Sequence, residues 1–257
     1  MGYGSVPVLK QLTLPVLQPG TVTALIGPNA AGKSTLMRGL AGLQSARGDI
    51  VLDGRNLMRQ PQSERTRQMT YLPQSLPARS RLGVFEAVLS AAMAGCPQQG
   101  LLGRAADDGT VRAVEAALEN LYLARLADRA VEGLSGGQRQ LVGLAQALVR
   151  QPRVLMLDEP TSALDLYHQF QVIDMVGRET RQRQIITLIT LHDIHLALTC
   201  ADLVLVLHEG ELASAGPPSS VIDSALLARV YGVNGSVEIV RGRPIVVVEG
   251  PVRRDDE

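Results

Sequence analysis

Three short runs of aliphatic residues mark the second half of the chain, and polar residues separate them. The runs are VLMLD at 154–158, IITLIT at 185–190 and LVLVL at 203–207. Apolar residues at consecutive rather than alternate positions are typical of strands buried on both faces of a parallel sheet. The intervening stretches near 166–182 and 193–199 predict helices. This alternation indicates an α/β fold.

The first 74 residues alternate strand-like runs with turns and contain one predicted helix, at about 33–40. Pro19–Gly20 is a turn signal, because both residue types favour turns. The predicted strands are KQLTLPVL (10–17), TVTALIG (21–27), GDIVLDG (48–54) and QMTYLPQ (68–74).

The pattern becomes helical between about Gly83 and Arg150, where apolar residues recur at helical spacing. We interpret this stretch as a helical lobe inserted into the α/β core. SVEIV and PIVVVE around RGRP then predict a small hairpin. We therefore expect four segments. They are the first part of the α/β core together with a small β-subdomain (1–74), a helical segment (75–150), the second part of the core (151–232) and a C-terminal hairpin with its tail (233–257).

Composition narrows the class of protein. The chain has 25 basic and 25 acidic side chains and zero formal net charge, so no overall basic bias points to nucleic acid. Cys96 and Cys200 have no metal-ligand spacing and fit a reduced, cytosolic compartment. Residues 87–103 are uncharged, but Pro97 and two glutamines argue against a membrane span. We expect a soluble chain that reaches any membrane through a partner.

GPNAAGKST at 27–35 matches the phosphate-loop pattern G-x-x-x-x-G-K-[ST], between a predicted strand and a predicted helix. Glycines let backbone N–H groups converge on phosphate oxygens, and the helix N-terminus adds partial positive charge. Lys33 would reach the β- and γ-phosphates, the Ser34 hydroxyl would bind Mg²⁺, and Thr35 would add a phosphate hydrogen bond. The alternative is an ordinary strand-to-helix turn with an exposed lysine.

Asp158 is the last residue of the predicted strand VLMLD, and a second acid, Glu159, follows it directly. Ligands of open parallel sheets bind at the carboxyl ends of the strands, where the phosphate loop also lies. Asp158 would hold Mg²⁺ through water, and Glu159 would be the general base for an attacking water. The alternative is that both acids are solvated and cap the next helix.

A second helix start of the kind that suits a phosphate is LSGGQ at 134–138. A serine N-cap followed by glycines is common where helices begin. The same chain also has a phosphate loop and a strand that ends at a pair of acids. Together with them, LSGGQ is a much more specific signal of a phosphate site than a serine N-cap alone.

With these motifs in this order, the chain resembles the ATPase subunits of ATP-binding cassette (ABC) transporters over nearly all of its length. In this resemblance GPNAAGKST is the Walker A loop, VLMLDE the Walker B strand, LSGGQ the signature and SALD at 162–165 the D-loop. YLPQ supplies the Q-loop glutamine Gln74, and LHD supplies the switch histidine His192. The implied fold is a P-loop NTPase (RecA-like) core with a small antiparallel β-subdomain and an inserted helical subdomain.

The resemblance implies ATP and Mg²⁺ as cofactors. The implied catalytic residues are Glu159, His192 and Lys33, and the residues near Mg²⁺ are Ser34, Gln74 and Asp158. The residues implied to contact nucleotide are Tyr3, Gly27, Pro28, Asn29, Ala30, Ala31, Gly32, Lys33, Ser34, Thr35, Gln74, Ser135, Gly136, Gly137, Gln138 and Asp165.

Four of these residues have plainer interpretations when taken singly. Gln74 is then a surface-loop glutamine, His192 a structural histidine, Asp165 a helix N-cap and Tyr3 a tyrosine near a chain end. In the resemblance Tyr3 stacks on adenine. Only two residues precede it where the family has a full strand, so either the start is misassigned or truncated, or the small sheet lacks an edge strand.

The resemblance also explains why one chain has two phosphate-binding helix starts. Two cassettes of this family pack head to tail, and each ATP lies between the Walker A loop of one and the signature of the other. The implied partners are a second copy of the chain, a polytopic membrane permease and, indirectly, a substrate-binding protein, with no nucleic acid. The chain would lie peripherally on the cytoplasmic face of the inner (plasma) membrane.

Three further segments resemble the importer branch for iron chelates, haem and vitamin B12: GVFEAVL (83–89), LDLYHQ (164–169) and LLARVYGV (226–233). The expected activity is ATP hydrolysis that powers uptake of an iron chelate, first a ferric siderophore and then haem or cobalamin. The alternatives are a soluble ABC ATPase outside transport, the ATPase of another type of ABC transporter, and a nucleotide-binding regulator that barely hydrolyses.

Overall fold

The computed structural model describes residues 2–3, 6–74, 80–94 and 106–252, and of residues 2, 3, 6 and 7 the backbone only. The strands within this part of the chain are β1 (Gly2–Tyr3), β2 (Val6–Pro7), β3 (Val22–Ile26), β4 (Val51–Leu52), β5 (Arg55–Asn56), β6 (Met69–Leu72), β7 (Val154–Asp158), β8 (Ile186–Thr190), β9 (Leu203–His208), β10 (Glu211–Gly216), β11 (Val233–Val240) and β12 (Arg243–Pro251). The helices are α1 (Lys33–Leu40), α2 (Gln62–Gln68), α3 (Val84–Ala94), α4 (Asp108–Asn120), α5 (Gly136–Val149), α6 (Leu166–Arg183), α7 (Ile194–Cys200), α8 (Pro218–Val221) and α9 (Ser224–Tyr231). Cys96 and Pro97 lie outside the described residues.

The core is a six-stranded sheet in the order β10-β9-β3-β8-β7-β6. The strands from β9 to β6 pair in parallel, and β10 pairs antiparallel to β9. Every residue of β3 and β7 is buried, which agrees with their continuous aliphatic runs. The predicted α/β fold is therefore confirmed, and the carboxyl ends of β3, β6, β7 and β8 lie at the same end of the sheet.

Two hydrophobic clusters lie on opposite faces of this sheet, because neighbouring side chains of a strand point in opposite directions. Ala24 and Ile26 of β3 belong to the cluster that includes residues of α3 to α7, whereas Leu25 belongs to the one that includes α1. The helices α3, α4 and α5 pack on one another, and α5 also contacts β6. The sheet thus separates a layer of helices from a second cluster formed by α1, β4 and the segments around them.

The strand predicted at 10–17 is not formed. Within the described residues this segment pairs with no strand, and the Lys10 N–H donates to the Gly210 carbonyl oxygen at 3.1 Å. Pro15 and Pro19 have no N–H to give to a ladder, which disfavours regular pairing here. Of GDIVLDG only β4 is a strand, and it pairs with β5, while β1 pairs with β2. The small antiparallel part is therefore reduced to two short ladders in the described chain.

An antiparallel hairpin of β11 and β12 follows α9. β11 packs against α9, and β12 packs against α7, the helix that begins two residues after His192. No helix in the described ranges is both long enough and apolar enough to cross a bilayer.

Candidate functional site

The loop between β3 and α1 turns sharply because several of its residues have positive φ. The values are 146° at Gly27, 63° at Ala30 and 103° at Gly32. A Cβ added at Gly27 would lie 2.1 Å from the Leu207 carbonyl oxygen, and one added at Gly32 would lie 2.5 Å from Leu9 Cδ2. Close packing against the Leu207 backbone therefore requires glycine at position 27. At position 32 the positive φ favours glycine, and a Cβ there would displace the end of the Leu9 side chain.

Replacing Gly27 by alanine should destabilise the fold much more than the same change at Gly48. The φ values are similar, 146° and 138°, so both variants strain the backbone, but a Cβ at Gly48 would meet no atom within 4 Å. We expect a loss of about 3 kcal/mol or more at Gly27 and about 1 kcal/mol at Gly48. Urea denaturation measures both, and equal losses would contradict the argument from close packing.

The Lys33 ammonium group is held by the loop itself. The residue is buried, and Nζ donates to the carbonyl oxygens of Gly27 at 2.7 Å and Pro28 at 3.0 Å. Burial lowers the pKa of Lys33, and the carboxylates of Glu159 and Asp158 partly oppose this shift. A cation in this position would form strong, charge-assisted hydrogen bonds with an anion in the loop.

Asp158 accepts hydrogen bonds from three side chains at the end of β7. Ser34 Oγ and Thr190 Oγ1 donate to its Oδ1 at 3.2 and 2.8 Å, and Tyr71 Oη donates to its Oδ2 at 2.9 Å. The three donors come from α1, β8 and β6. Burial, together with the charge of Asp158, raises the pKa of Tyr71 to about 12, so the phenol stays a donor at neutral pH.

Glu159 follows β7 in the left-handed region, with φ of 50°, and is only 7% exposed. Its backbone N–H donates to Thr190 Oγ1 at 2.7 Å. Its carboxylate accepts a hydrogen bond from Gln74 Nε2 and contacts His192 Nε2. The glutamine, the glutamate and the histidine singled out in the sequence therefore meet in one cluster.

A pocket of about 570 Å³ opens beside this cluster. Its lining consists of Val8, residues 29–35, Gln74, Glu159 and His192. The fold thus brings the phosphate loop together with three polar side chains that lie 39 residues or more from it in the chain.

Ser34 and Asp158 supply oxygen donors that fit Mg²⁺. Ser34 lines the pocket, and its hydroxyl lies 3.2 Å from Asp158 Oδ1. Mg²⁺ prefers oxygen ligands and is usually bound by one or two carboxylates together with substrate phosphates. The described part of the chain contains no group of three or more His, Cys, Asp or Glu side chains that could hold a metal ion. The donors therefore suit Mg²⁺ that arrives with a nucleotide, not an all-protein cage.

The signature segment lies outside this pocket. Ser135 Oγ accepts from the Gln138 N–H at 3.2 Å, and Gln138 Oε1 accepts from the Ser135 N–H at 3.0 Å, which forms a capping box at the start of α5. A Cβ added at Gly137 would lie 3.0 Å from Leu164 Cδ2, whereas one added at Gly136 would meet nothing within 4 Å. The fold of this chain therefore accounts for the serine and the second glycine, but not for the first.

Asp165 also lies outside the pocket, and it caps α6. Its carboxylate accepts from the His168 N–H at 2.9 Å and contacts His168 Nδ1 at 2.7 Å, which lowers the pKa of Asp165. The side chain of Tyr3 is outside the described residues, so its stacking on adenine stays a prediction.

The sequence alone does not single out Tyr71 or Thr190. Both lie in strand-like runs, where a tyrosine or threonine is an ordinary strand residue. The usable signal is that a buried hydroxyl needs a hydrogen-bond partner. Thr190 pairs with Asp158 in the register of β7 and β8, so correct strand alignment would have placed its hydroxyl beside the acid.

Known proteins resemble the chain in both sequence and fold. Residues 9–162 match the family described as ABC transporter. The ferric enterobactin transport ATP-binding protein FepC of Escherichia coli (strain K12) is 33% identical over 253 residues, which cover 97% of this chain and 92% of that protein. The hemin import ATP-binding protein HmuV of Myxococcus xanthus (strain DK1622) is 37% identical over 244 residues, which cover 91% of this chain and 89% of that protein.

A solved structure of the ATP-binding cassette MJ0796, a dimer in a post-hydrolysis state bound to ADP and Pi, has the same fold. Its comparison with this chain gives a TM-score of 0.74 at 22% sequence identity, and the match covers 85% of this chain and 94% of that chain. The predicted P-loop NTPase fold is confirmed by this likeness, and the family match spans more than half of the sequence. The chain therefore belongs to the ABC transporter family.

Proposed function

We propose that this chain hydrolyses ATP to power the import of an iron chelate, with a ferric siderophore as the first candidate and haem or cobalamin after it. The names of the two relatives, a ferric enterobactin transport ATP-binding protein and a hemin import ATP-binding protein, support an iron-containing cargo. The observation that carries the hydrolytic part is the pocket where the phosphate loop, Gln74, Glu159 and His192 meet.

In this proposal the loop binds the phosphates through its backbone N–H groups and Lys33. Thr35 adds a hydrogen bond to phosphate. Ser34 would hold Mg²⁺ directly and Asp158 would hold it through water, with Gln74 nearby. Bound Mg²⁺ would offset the negative charge that the phosphates develop.

Glu159 is the proposed general base. It would accept the proton of the attacking water, while Gln74 and His192, which both contact its carboxylate, would hold that water in place. The burial of Glu159 suits this role, because a carboxylate shielded from bulk solvent would take its proton from the water held within the site.

We further propose that the nucleotide site is completed by a second copy of the chain. Ser135, Gly136 and Gly137 do not line the pocket of their own chain, and a Cβ at Gly136 would meet none of its atoms within 4 Å. A missing side chain that internal packing does not require leaves room for an approaching ligand. The nucleotide would lie between one copy's loop and the other copy's α5, with Gln138 and Asp165 near that boundary.

Mixing two inactive variants tests the shared site. Lys33→Ala removes the loop cation, and Ser135→Ala removes the hydroxyl at the start of α5, so each homodimer should be inactive. In a mixed dimer one loop faces one intact α5. Random pairing should therefore restore about a quarter of the native ATPase rate.

The matched control mixes Lys33→Ala with Glu159→Gln. These two residues belong to the same pocket of one chain, so both sites of a mixed dimer stay defective and no rate should return. Recovery in this control, or none in the Lys33 and Ser135 mixture, would contradict a site shared between two copies.

The proposed membrane partner is a polytopic permease supplied by a separate chain and served by a substrate-binding protein. The cassette would then lie on the cytoplasmic face of the membrane, attached through the helical segment 75–150 that follows Gln74.

Purification of the tagged chain from membranes should recover a polytopic subunit. Transport assays on that complex with ferric siderophore, haem and cobalamin would then identify the cargo. Recovery with ribosomes or DNA alone would contradict an importer.

A further inference from the structure

Thr190 contacts both of the adjacent acids at the end of β7. Its Oγ1 donates to Asp158 Oδ1 at 2.8 Å and accepts from the Glu159 N–H at 2.7 Å. The direction of both bonds is fixed, because a carboxylate only accepts and a backbone N–H only donates. A single hydroxyl therefore bridges the acid on the metal side and the acid on the side of the attacking water.

The bridge ends at Glu159, a residue whose backbone conformation is unfavourable. Glu159 has φ of 50°, a region that is disfavoured for residues with a Cβ. The Ser162 N–H and Oγ both contact the Glu159 carbonyl oxygen, so the turn is fixed on its far side as well. On the near side the N–H is fixed by Thr190, and this contact sets the direction in which the Glu159 side chain leaves β7.

The hydroxyl of Thr190 is not needed to fill space. The residue is 0% exposed in an aliphatic strand, where valine has the same shape and no polar atom. A buried hydroxyl is unfavourable unless it is hydrogen-bonded. Its two bonds both go to the acids, and Thr190 does not line the pocket, so any effect on the reaction must pass through Asp158 and Glu159.

We propose that Thr190 is a positioning residue that sets the mutual geometry of Asp158 and Glu159. The inference rests on the proposed roles of these two acids in ATP hydrolysis.

Thr190→Val tests the bridge, since it removes the hydroxyl and keeps the branched shape. We expect kcat for ATP to fall by about 10-fold or more, because the base loses its orientation, while KM stays within about 3-fold. Thr190→Ser keeps the hydroxyl and should restore kcat to within about 3-fold of the native value. Nucleotide affinity, measured with a non-hydrolysable ATP analogue and Mg²⁺, should change little in either variant.

The matched control is Thr187→Val on the same strand. Thr187 is also 0% exposed, and its hydroxyl bonds to Thr180 Oγ1 at 2.6 Å, away from the acids. Thermal denaturation should show comparable losses of stability for the two valine variants, but only Thr190→Val should lose kcat. Equal kcat values for the two, or a serine variant as slow as valine, would overturn the proposal.

Glu159→Gln separates a failure of this inference from a failure of the proposed function. If Glu159→Gln hydrolysed ATP normally, the proposed function would fail. If Glu159→Gln were slow while Thr190→Val kept the kcat of Thr187→Val, only the bridge would be disproved.

Discussion

Glu159→Gln should slow ATP hydrolysis by about 10²–10⁴-fold, or about 3–5 kcal/mol of barrier, and leave nucleotide affinity nearly unchanged. The amide keeps the size of the carboxylate and can still meet Gln74 and His192, but it is too weak a base to take a proton from water. In the proposed function, binding depends on the loop and Lys33, which the change does not alter. A filter-binding assay with ATP and a phosphate-release assay on the same preparation measure the two quantities.

Glu209→Gln is the matched control for this variant. Glu209 is also a glutamate with positive φ, 48° against 50° at Glu159, but it lies exposed in the turn between β9 and β10. Its replacement should leave hydrolysis within about 2-fold of the native rate. A Glu159→Gln protein as active as Glu209→Gln would rule out Glu159 as the base.

Gly136→Asp should abolish most hydrolysis without destabilising the subunit. A side chain at Gly136 has open space within its own chain, and an acid in the first turn of α5 is favourable toward the helix dipole by about 0.3–1 kcal/mol. If the phosphates of a nucleotide bound to the second copy lie there, a carboxylate about 4 Å away costs about 4 kcal/mol at an effective dielectric constant of 20. The ATPase rate at fixed ATP should then fall by about 10²–10³-fold.

Gly109→Asp makes the same change at a matched position. Gly109 is likewise an exposed glycine in the first turn of a helix, α4, and the nearest atom to an added Cβ is Asp107 Oδ1 at 3.5 Å. We expect similar thermal stability for both variants and native hydrolysis for Gly109→Asp. Normal hydrolysis by Gly136→Asp would contradict a site completed by a second copy.

The elements that position the site could be predicted because their signals are local. The phosphate loop is a contiguous pattern, and the buried strands are continuous aliphatic runs, so β3, β7 and β8 follow from short windows of sequence. The segment 10–17 has the same strand-like composition but is irregular. A strand forms only if a neighbour accepts its hydrogen bonds, and that depends on distant residues.

The contacts of Thr190 and Tyr71 could not be predicted for a related reason. Each hydroxyl meets Asp158 only because three strands align in one register, and a shift of one residue would turn the side chains to the other face. The position of the signature outside the pocket is likewise a property of the folded chain. Motif order indicates which residues act together, whereas three-dimensional packing decides which of them meet within one chain.

The two hydrogen bonds from the Lys33 ammonium to the carbonyls of Gly27 and Pro28 have a kinetic consequence. They fix the turn from inside, so in the proposed function the polypeptide itself preorganises the concave surface that would bind the phosphates. Little conformational entropy then remains to be lost on association. Nucleotide capture should therefore be governed by diffusion and ionic strength and not by a slow rearrangement of the loop.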